Sequence, residues 1–301
     1  MRILLAAAAL LAGHAEARTL TAGPGQAYAT PSAAAAAAQD GDVIQVVPGE
    51  YFDCIATSRR ITIQGPATLT DKACEGKAIL VLKGAGSVVR DLTLARARVA
   101  DGNGAGIRLE AQDATIERVR FDNNEVAVLG GSGRISMTGC DITASSAGMT
   151  AILVGDAALL ELHDMRITIT HGLILSSSAG MTTITGGTFD TADRGIELNG
   201  PATLDGISVT LREDATVFAR ATAEGVTIRR SRLTNLTGKP VALLQDWAPG
   251  RPTLDQNKIG PGDQEVTTDG ALRYRVSSTL HEAKDGLRDL ARSAKHAVVG
   301  P

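Results

Sequence analysis

Aromatic side chains are scarce: four Phe, three Tyr and one Trp make up 3% of the 301 residues. That excludes a core built on large ring anchors, and it leaves few rings for stacking against sugars. Three cysteines allow one disulfide and one leftover thiol, and with no histidine nearby they do not form a zinc site. An excess of positive charge is absent too. Thirty Lys and Arg against 33 Asp and Glu give a formal charge of −3, which argues against a nucleic-acid partner on bulk electrostatics. No apolar run approaches the roughly 20 residues of a membrane span. The chain does have 44% hydrophobic residues and 33 glycines, with Ala, Val, Ile, Leu and Thr carrying the bulk. It holds enough apolar material for a core, but one made of thin aliphatic layers and tight turns.

The longest apolar run stands at the start. Arg2 is followed by the ten residues Ile3–Ala12 and by Ala15-Glu16-Ala17, a positive, apolar and A-x-A sequence in the order of a Sec-type signal peptide. The reading is a periplasmic or secreted protein whose mature chain starts near Arg18. Residues 1–17 are then the signal, 18–42 an N-terminal cap, 43–265 the body and 266–301 a C-terminal extension.

The body repeats. A six-residue pattern, apolar–x–x–small or apolar–x–apolar, runs from Val89 to Leu94 and from Ile116 to Phe121. It recurs at Met137–Ile142, Leu162–Ile167, Ile184–Phe189, Leu204–Val209 and Ile228–Leu233, with 20 to 27 residues between first positions. Further apolar pairs at period 2 accompany the copies: Ile107/Leu109, Ile152/Val154, Ile174/Ser176, Ile196/Leu198, Val217/Ala219 and Val241/Leu243. Period 2 with Thr, Gly and β-branched residues between is strand, not helix. Short strands at this interval, joined by Gly, Asn, Asp and Ser turns, predict an all-β solenoid of about 8–10 coils. Its open ends need covering. Pro31-Ser32 followed by Ala33–Ala38 reads as a short capping helix at one end. At the other, Thr279-Leu-His-Glu282 is a capping box leading into an amphipathic helix through Leu287, Leu290, Ala294 and Val298.

The stretch from Pro31 to Tyr51, with Ala38-Gln-Asp-Gly-Asp-Val-Ile-Gln-Val-Val-Pro-Gly-Glu-Tyr51 at its end, resembles the opening of right-handed parallel β-helix proteins of the pectate-lyase-like superfamily. Asn103-Gly-Ala-Gly-Ile-Arg108 and Phe121-Asp-Asn-Asn-Glu125 resemble exported bacterial β-helix proteins without a firmly assigned activity. In such a solenoid, Cys54 and Cys74 lie one coil apart and are expected to pair, while Cys140 shares a buried column with Leu92, Val119, Met165 and Ile207.

The loops between copies point to a site. Residues 95–106 and 143–151 are long and flank the short 122–127, so two walls are expected around a floor. Asp101, Asn103, Arg108, Glu110, Asn123, Asn124 and Glu125 gather there as candidate contacts to an acidic polysaccharide. The resemblance to the lyases implies Arg108 as the base in a β-elimination, with Asp101, Glu110 and Glu125 as ligands of Ca²⁺. The lyases' catalytic motif does not align onto these positions, and the paired Asp and Gly-His-Gly runs of polygalacturonases are missing; Thr170-His171-Gly172 is a lone fragment. The same residues also read as structure: Asp101-Gly-Asn-Gly as a turn, Asn123-Asn124 as an amide ladder, Arg108 and Glu110 as a surface pair. A second charged cluster comprises Asp190, Asp193, Arg194, Glu197, Glu213 and Asp214. An outward column Leu129, Leu153, Leu175, with Phe218 beyond, is apolar. It favours the competing reading of a non-catalytic envelope scaffold or protein-interaction solenoid.

Overall fold

In the computed structural model the six-residue repeat is a corner joining two strands. The structure describes residues 16–266 apart from 145–149, 171, 214–216, 222–223, 239–241, 247–252 and 261–263. Residues 1–15 of the expected signal and the helix expected beyond Thr279 lie outside the described residues. In each hexad the first apolar residue lies in one strand, the second variable residue turns the chain, and the last apolar residue lies on the next face.

The turning residue adopts the left-handed conformation in coil after coil: Asp91 (φ 57°), Arg118 (50°), Gly139 (61°), Asp164 (50°), Gly186 (65°), Gly206 (65°) and Arg230 (50°). For a residue with a Cβ this costs about 1–2 kcal/mol. What offsets it is continuity of the ladder. The N–H of Arg118 donates to Thr138 O at 2.9 Å, that of Gly139 to His163 O at 2.9 Å, and that of Asp164 to Thr185 O at 2.9 Å. The same bond repeats from Gly186 to Asp205 and from Gly206 to Arg229. Past the bend a side chain serves the next N–H at two corners, Ser231 Oγ for Ile207 and Asn257 Oδ1 for Ser231.

Three parallel sheets result, in about nine turns. Sheet I begins at Thr19–Ala22 and Val43–Val46 and carries the inward ladder Ile44, Ile63, Val89, Ile116, Met137, Leu162, Ile184, Leu204, Ile228. Sheet II, after the corner, carries Leu69, Leu94, Phe121, Ile142, Ile167, Phe189, Val209 and Leu233. Sheet III starts at Ile55–Thr57 and carries Ile55, Leu80, Ile107, Val128, Ile152, Leu175 and Ile196. All of these are buried. Like residues stack on like at the strand spacing of about 4.8 Å, which lets small aliphatics fill the interior without aromatic anchors.

Sheet III corrects the sequence reading. Leu175 aligns with Ile152 and Ile196 and faces inward, 1% exposed, so the expected outward column Leu129–Leu153–Leu175 continues from Leu153 to Ser176. The pairs Ile174/Ser176 and Val241/Leu243 are likewise one residue out, since Leu175 aligns with Ile196 and Leu244 with Ala219, while Ile196/Leu198 and Ala219 lie on the inward face as read. The cause is that sheet III buries two successive residues where the chain enters it, as at Ile79/Leu80, Ala151/Ile152 and Ile174/Leu175. A period of 2 counted from the wrong one of the two inverts the face of that copy.

The N-terminal end is closed as the sequence predicts. Helix α1 (Pro31–Ala37) has Thr30 as N-cap, its hydroxyl accepting from Ala33 N–H, and Pro31 at the first helical position. It buries Pro31, Ala34 and Ala35 against the first coil. Two buried carboxylates tie it down. Asp53 accepts the N–H of Ser32 at 2.8 Å, and Asp42 accepts those of Gln39 and Arg18 and pairs with the Arg18 guanidinium. The Arg18 side chain and the backbone N–H groups hold the Asp42 carboxyl well below the usual carboxylate range. At the far end Gln264–Val266 runs antiparallel to Asn257–Gly260 and covers that edge.

Cys54 and Cys74 form a disulfide, and Cys140 is buried in the expected column with its thiol pushed up to about 11 by desolvation. Cys74 begins a tight hairpin in which Glu75 (φ 55°) and Gly76 (φ 61°) return the chain to Ala78. The disulfide thereby pins this hairpin on the outer face of sheet III, where Cys74 packs against a small apolar cluster of Ala78, Val81, Ala105, Val126 and Leu129.

The crosslink closes a 20-residue separation, so the Cys54→Ser/Cys74→Ser variant is expected to unfold with about 3 kcal/mol less stability in a denaturant titration. Asp42 gives a pH signature. Its depressed pKa means its contribution is complete above the ordinary value of 3.8 and is lost as pH falls below it. Protection from hydrogen exchange around Gln39 and Val43, taken relative to the free-peptide rate at each pH, should therefore fall on acidification in the wild type, and be low already at neutral pH in Asp42→Ala.

Candidate functional site

The polar residues of the 95–127 region are brought together, mostly to hold the chain's own backbone. The long loop departs from the ladder after Ala95 and needs other partners for its peptide groups. Asn124, 3% exposed, supplies two: its Oδ1 accepts the N–H of Ala97 at 2.9 Å and its Nδ2 donates to Leu94 O at 2.8 Å. Asn257 repeats this arrangement one end along, with Ser231 N–H and Ile228 O. Glu125 Oε2 accepts the N–H of Val99 at 3.1 Å and of Gly104 at 2.6 Å. Gly104 allows this approach, because a Cβ there would lie 2.7 Å from that oxygen and 2.9 Å from Ala97 backbone. Arg98 donates to Ala97 O, Asn123 O and Asn123 Oδ1. Asp101 accepts the N–H of Asn103 two residues on, closing the exposed turn.

The expected wall is thus folded onto the expected floor. Beneath it a cavity of about 10 Å³ lies among Phe121, Asn124, Glu125, Ala127 and Ile142, room for one water at most. The second wall, 143–151, lies largely outside the described residues.

Arg108 and Glu110 sit apart from that lock. Arg108 projects outward from sheet III, in register between Val81 and Leu129. Its Nε is shut off from water and has no acceptor, which costs about 1–3 kcal/mol. The nearest carboxylate, Glu110, is 3.8 Å away and is taken by Lys77 at 2.6 Å. Lys77 also lies 3.6 Å from Glu75, which pairs with Lys83 at 2.5 Å. These neighbours raise the pKa of Lys77, through Glu110 first, and lower that of Glu75, through Lys83 first. The result is a charged strip along the hairpin and sheet III with two lysines, two carboxylates and one weakly partnered guanidinium.

Asp101, Glu110 and Glu125 do not converge, and among the described residues no group of three or more acidic, His or Cys side chains is arranged to hold a metal ion. The donor set does not fit Ca²⁺, and no chemical step is routed through it. In the second cluster Asp190 pairs with Arg212 at 2.7 Å, Asp193 accepts the N–H of Gly172, and Glu197 accepts from Asn199. Glu213 is exposed on a left-handed turn (φ 52°), and His171, Asp214 and the side chains of Arg194 and Phe218 lie outside the described residues.

The sequence reading passed over the face of sheet II. Thr68, Thr93 and Arg120 stack outward on three coils there. Beside them Pro48, Gly49, Pro66, Asp91 and Arg118 border an open groove of about 500 Å³. The signal was present in the hexads, whose variable positions hold Arg-Asp at 90–91 and Glu-Arg-x-Arg at 117–120. Only the corner geometry shows that those positions share one face.

No family model matches the chain, and no curated protein matches it. Solved structures do. The pectin methylesterase from Aspergillus niger superposes over 84% of this chain and 87% of its own, at 14% identity with a TM-score of 0.54. Pectin methylesterase from carrot covers 81% of this chain and 83% of its own, at 18% identity and a TM-score of 0.49. Pectate lyase Pel9A covers 83% and 79%, at 11% identity and 0.46. This chain has the right-handed parallel β-helix fold. At such identities the likeness is one of fold, and chemistry rests on the side chains. No helix among the described residues is long and apolar enough to cross a membrane.

The lock around 95–106 makes a clear prediction. Asn124→Ala leaves a buried N–H and a buried carbonyl unsatisfied and should lower stability by about 2–3 kcal/mol, whereas Asp101→Ala, at an exposed turn, should change it by less than about 0.5 kcal/mol. Denaturant unfolding of the two variants compares them directly.

Proposed function

We propose that this is an exported β-helix protein that binds an acidic polysaccharide on the outer face of sheet III, with Arg108 as the anchoring cation. The observation that carries the reading is the state of that arginine. Its Nε is sealed without an acceptor, and its only nearby carboxylate belongs more closely to Lys77. A fold that tolerates such a residue holds a guanidinium in place for something outside itself. A planar carboxylate is the partner that suits its remaining nitrogens. The pectin-acting neighbours share the scaffold, which supports a polyuronate as the ligand class.

Binding is better supported than cleavage. A β-elimination needs a group that neutralises the uronate carboxylate, a base and an acid for the leaving oxygen. Asn124 and Glu125 are engaged by the loop backbone, and the acidic residues do not form a cation cage. Hydrolysis needs two carboxyl groups facing one bond, and in this strip Glu110 and Glu75 both face Lys77, with Glu75 also paired to Lys83. Arg108 as a base therefore lacks the partners that the reaction requires.

Export is supported by the disulfide, which persists in oxidising compartments, and by the surroundings of Arg18. Cleavage after Ala17 would convert the Arg18 N–H, 3.0 Å from buried Asp42 Oδ1, into an ammonium group on that carboxylate. The competing reading, a scaffold for a protein partner, has one observation in its favour: Leu153 is 36% exposed beside Leu129 on the same face.

The mature protein titrated with polygalacturonate and alginate is expected to bind, more weakly as salt rises, and Arg108→Ala to bind about tenfold more weakly. Ultraviolet absorbance of unsaturated uronate should stay flat throughout. Equal binding by wild type and Arg108→Ala would overturn this reading. A rise in absorbance that disappears in Arg108→Ala would replace it with a lyase.

A further inference from the structure

The groove on sheet II is a separate feature, one full face away from Arg108. Its floor is the outward column Thr68, Thr93 and Arg120, one residue from each of three successive coils. It is bordered by the corner: Pro48-Gly49, Pro66, Asp91 and Arg118 come from the same turn of four successive coils. The depression is shallow and open to solvent along its length.

The acids around this groove are already taken. Arg118 holds Asp91 through two hydrogen bonds, at 2.7 and 3.0 Å. Glu50, in register beside Thr68, is bound at 2.9 Å by Arg96, which also grips Asp71 at 2.7 Å. Arg120 is exposed on the floor, and among the described residues no acidic side chain pairs with it. The next residue in its column, Asp141, has Arg166 as its partner at 3.9 Å. With Asp91 neutralised by Arg118, the floor presents the net positive charge of Arg120.

We propose that the sheet II groove is a second binding site, for a short stretch of a carboxylate-bearing polysaccharide, with Arg120 taking the carboxylate. The lining matches that ligand in kind. The guanidinium suits a planar carboxylate, and the Thr68 and Thr93 hydroxyls can exchange hydrogen bonds with sugar hydroxyls. The rings of Pro48 and Pro66 offer flat apolar surface to the C–H faces of a pyranose. An open groove spanning three rungs admits a chain rather than a single enclosed molecule. The ligand class rests on the reading of the Arg108 face; the site does not, since no residue is shared.

The test is calorimetric titration of trigalacturonate, too short to reach both faces, into wild type, Arg108→Ala and Arg120→Ala, with thermal midpoints confirming that each is folded. Two equivalents bound by wild type and one by Arg120→Ala is the expected result. Ligand should also slow hydrogen exchange at 66–68, 91–93 and 118–120 in wild type and in Arg108→Ala, but not in Arg120→Ala. If the groove contributes the only site, Arg120→Ala loses at least about tenfold in affinity while Arg108→Ala is unaffected, so this inference stands and the Arg108 reading falls. Binding that Arg108→Ala abolishes and Arg120→Ala leaves intact in stoichiometry and exchange overturns the groove and keeps the other reading. Absence of any binding overturns both.

Discussion

Most of this molecule follows from turning the chain through a left-handed residue at the same place in successive coils from Asp91 onward. The conformation is unfavourable for a side-chain-bearing residue by about 1–2 kcal/mol, and the protein accepts it at Asp91, Arg118, Asp164 and Arg230. The bend is tight enough that the N–H of the turning residue still reaches the coil above, so the ladder of parallel hydrogen bonds runs through the corner instead of stopping at it. Register is thereby transmitted from sheet I to sheet II without slack. Isoleucine stacks on isoleucine, and the side chain at each outward position lies one strand spacing from its counterparts. The outer faces are consequently columns, and their chemistry is set by what each column repeats.

Where the chain leaves this regime, polar residues are consumed in repairing the loss. The 95–106 loop lifts several peptide groups off the ladder, and Asn124 and Glu125 in the next coil take them up. The Asn257 amide performs the same service for Ser231 and Ile228. Amides and carboxylates at a solenoid's turns are therefore ambiguous as functional signals: the geometry that gathers them also supplies backbone groups that require them. Cations on the flat faces are different. An arginine in the middle of a strand has no peptide group to satisfy, so one left without a carboxylate bears on the surroundings of the protein.

The sequence made the architecture legible because it is periodic. The hexad, the Pro31-led helix, the one-coil spacing of Cys54 and Cys74 and the buried column of Cys140 all depend on spacing alone, and spacing is what a sequence records. Two things did not survive the passage to three dimensions. Sheet III buries successive residues at its entrance, so Leu173-Ile-Leu offers no alternation by which to choose a register, and the outward stripe through Leu175 was one residue out of step. The candidate cleft failed for another reason. Loop lengths predict walls and a floor, but not that Glu125 reaches back to Val99 and Gly104 and draws the wall down.

The same logic explains why the cationic faces were harder to see than the acidic loops. Asp101, Asn103 and Glu125 are adjacent enough in sequence to look like a cluster, whereas Thr68, Thr93 and Arg120 are separated by about a coil each and meet only through register. Arg108 and Arg120 differ in turn by sheet: one sits in an apolar column between Val81 and Leu129, the other in a polar column beside a corner. An acidic chain lying against either would exchange water for a guanidinium held by a rigid strand, with little side-chain ordering left to oppose it. The rigidity comes from the stacked coils and the selectivity from which arginines the neighbouring acids leave unclaimed. On this fold chemistry rests on side chains rather than on the backbone, so that distribution of unclaimed charge decides what the outer faces can hold.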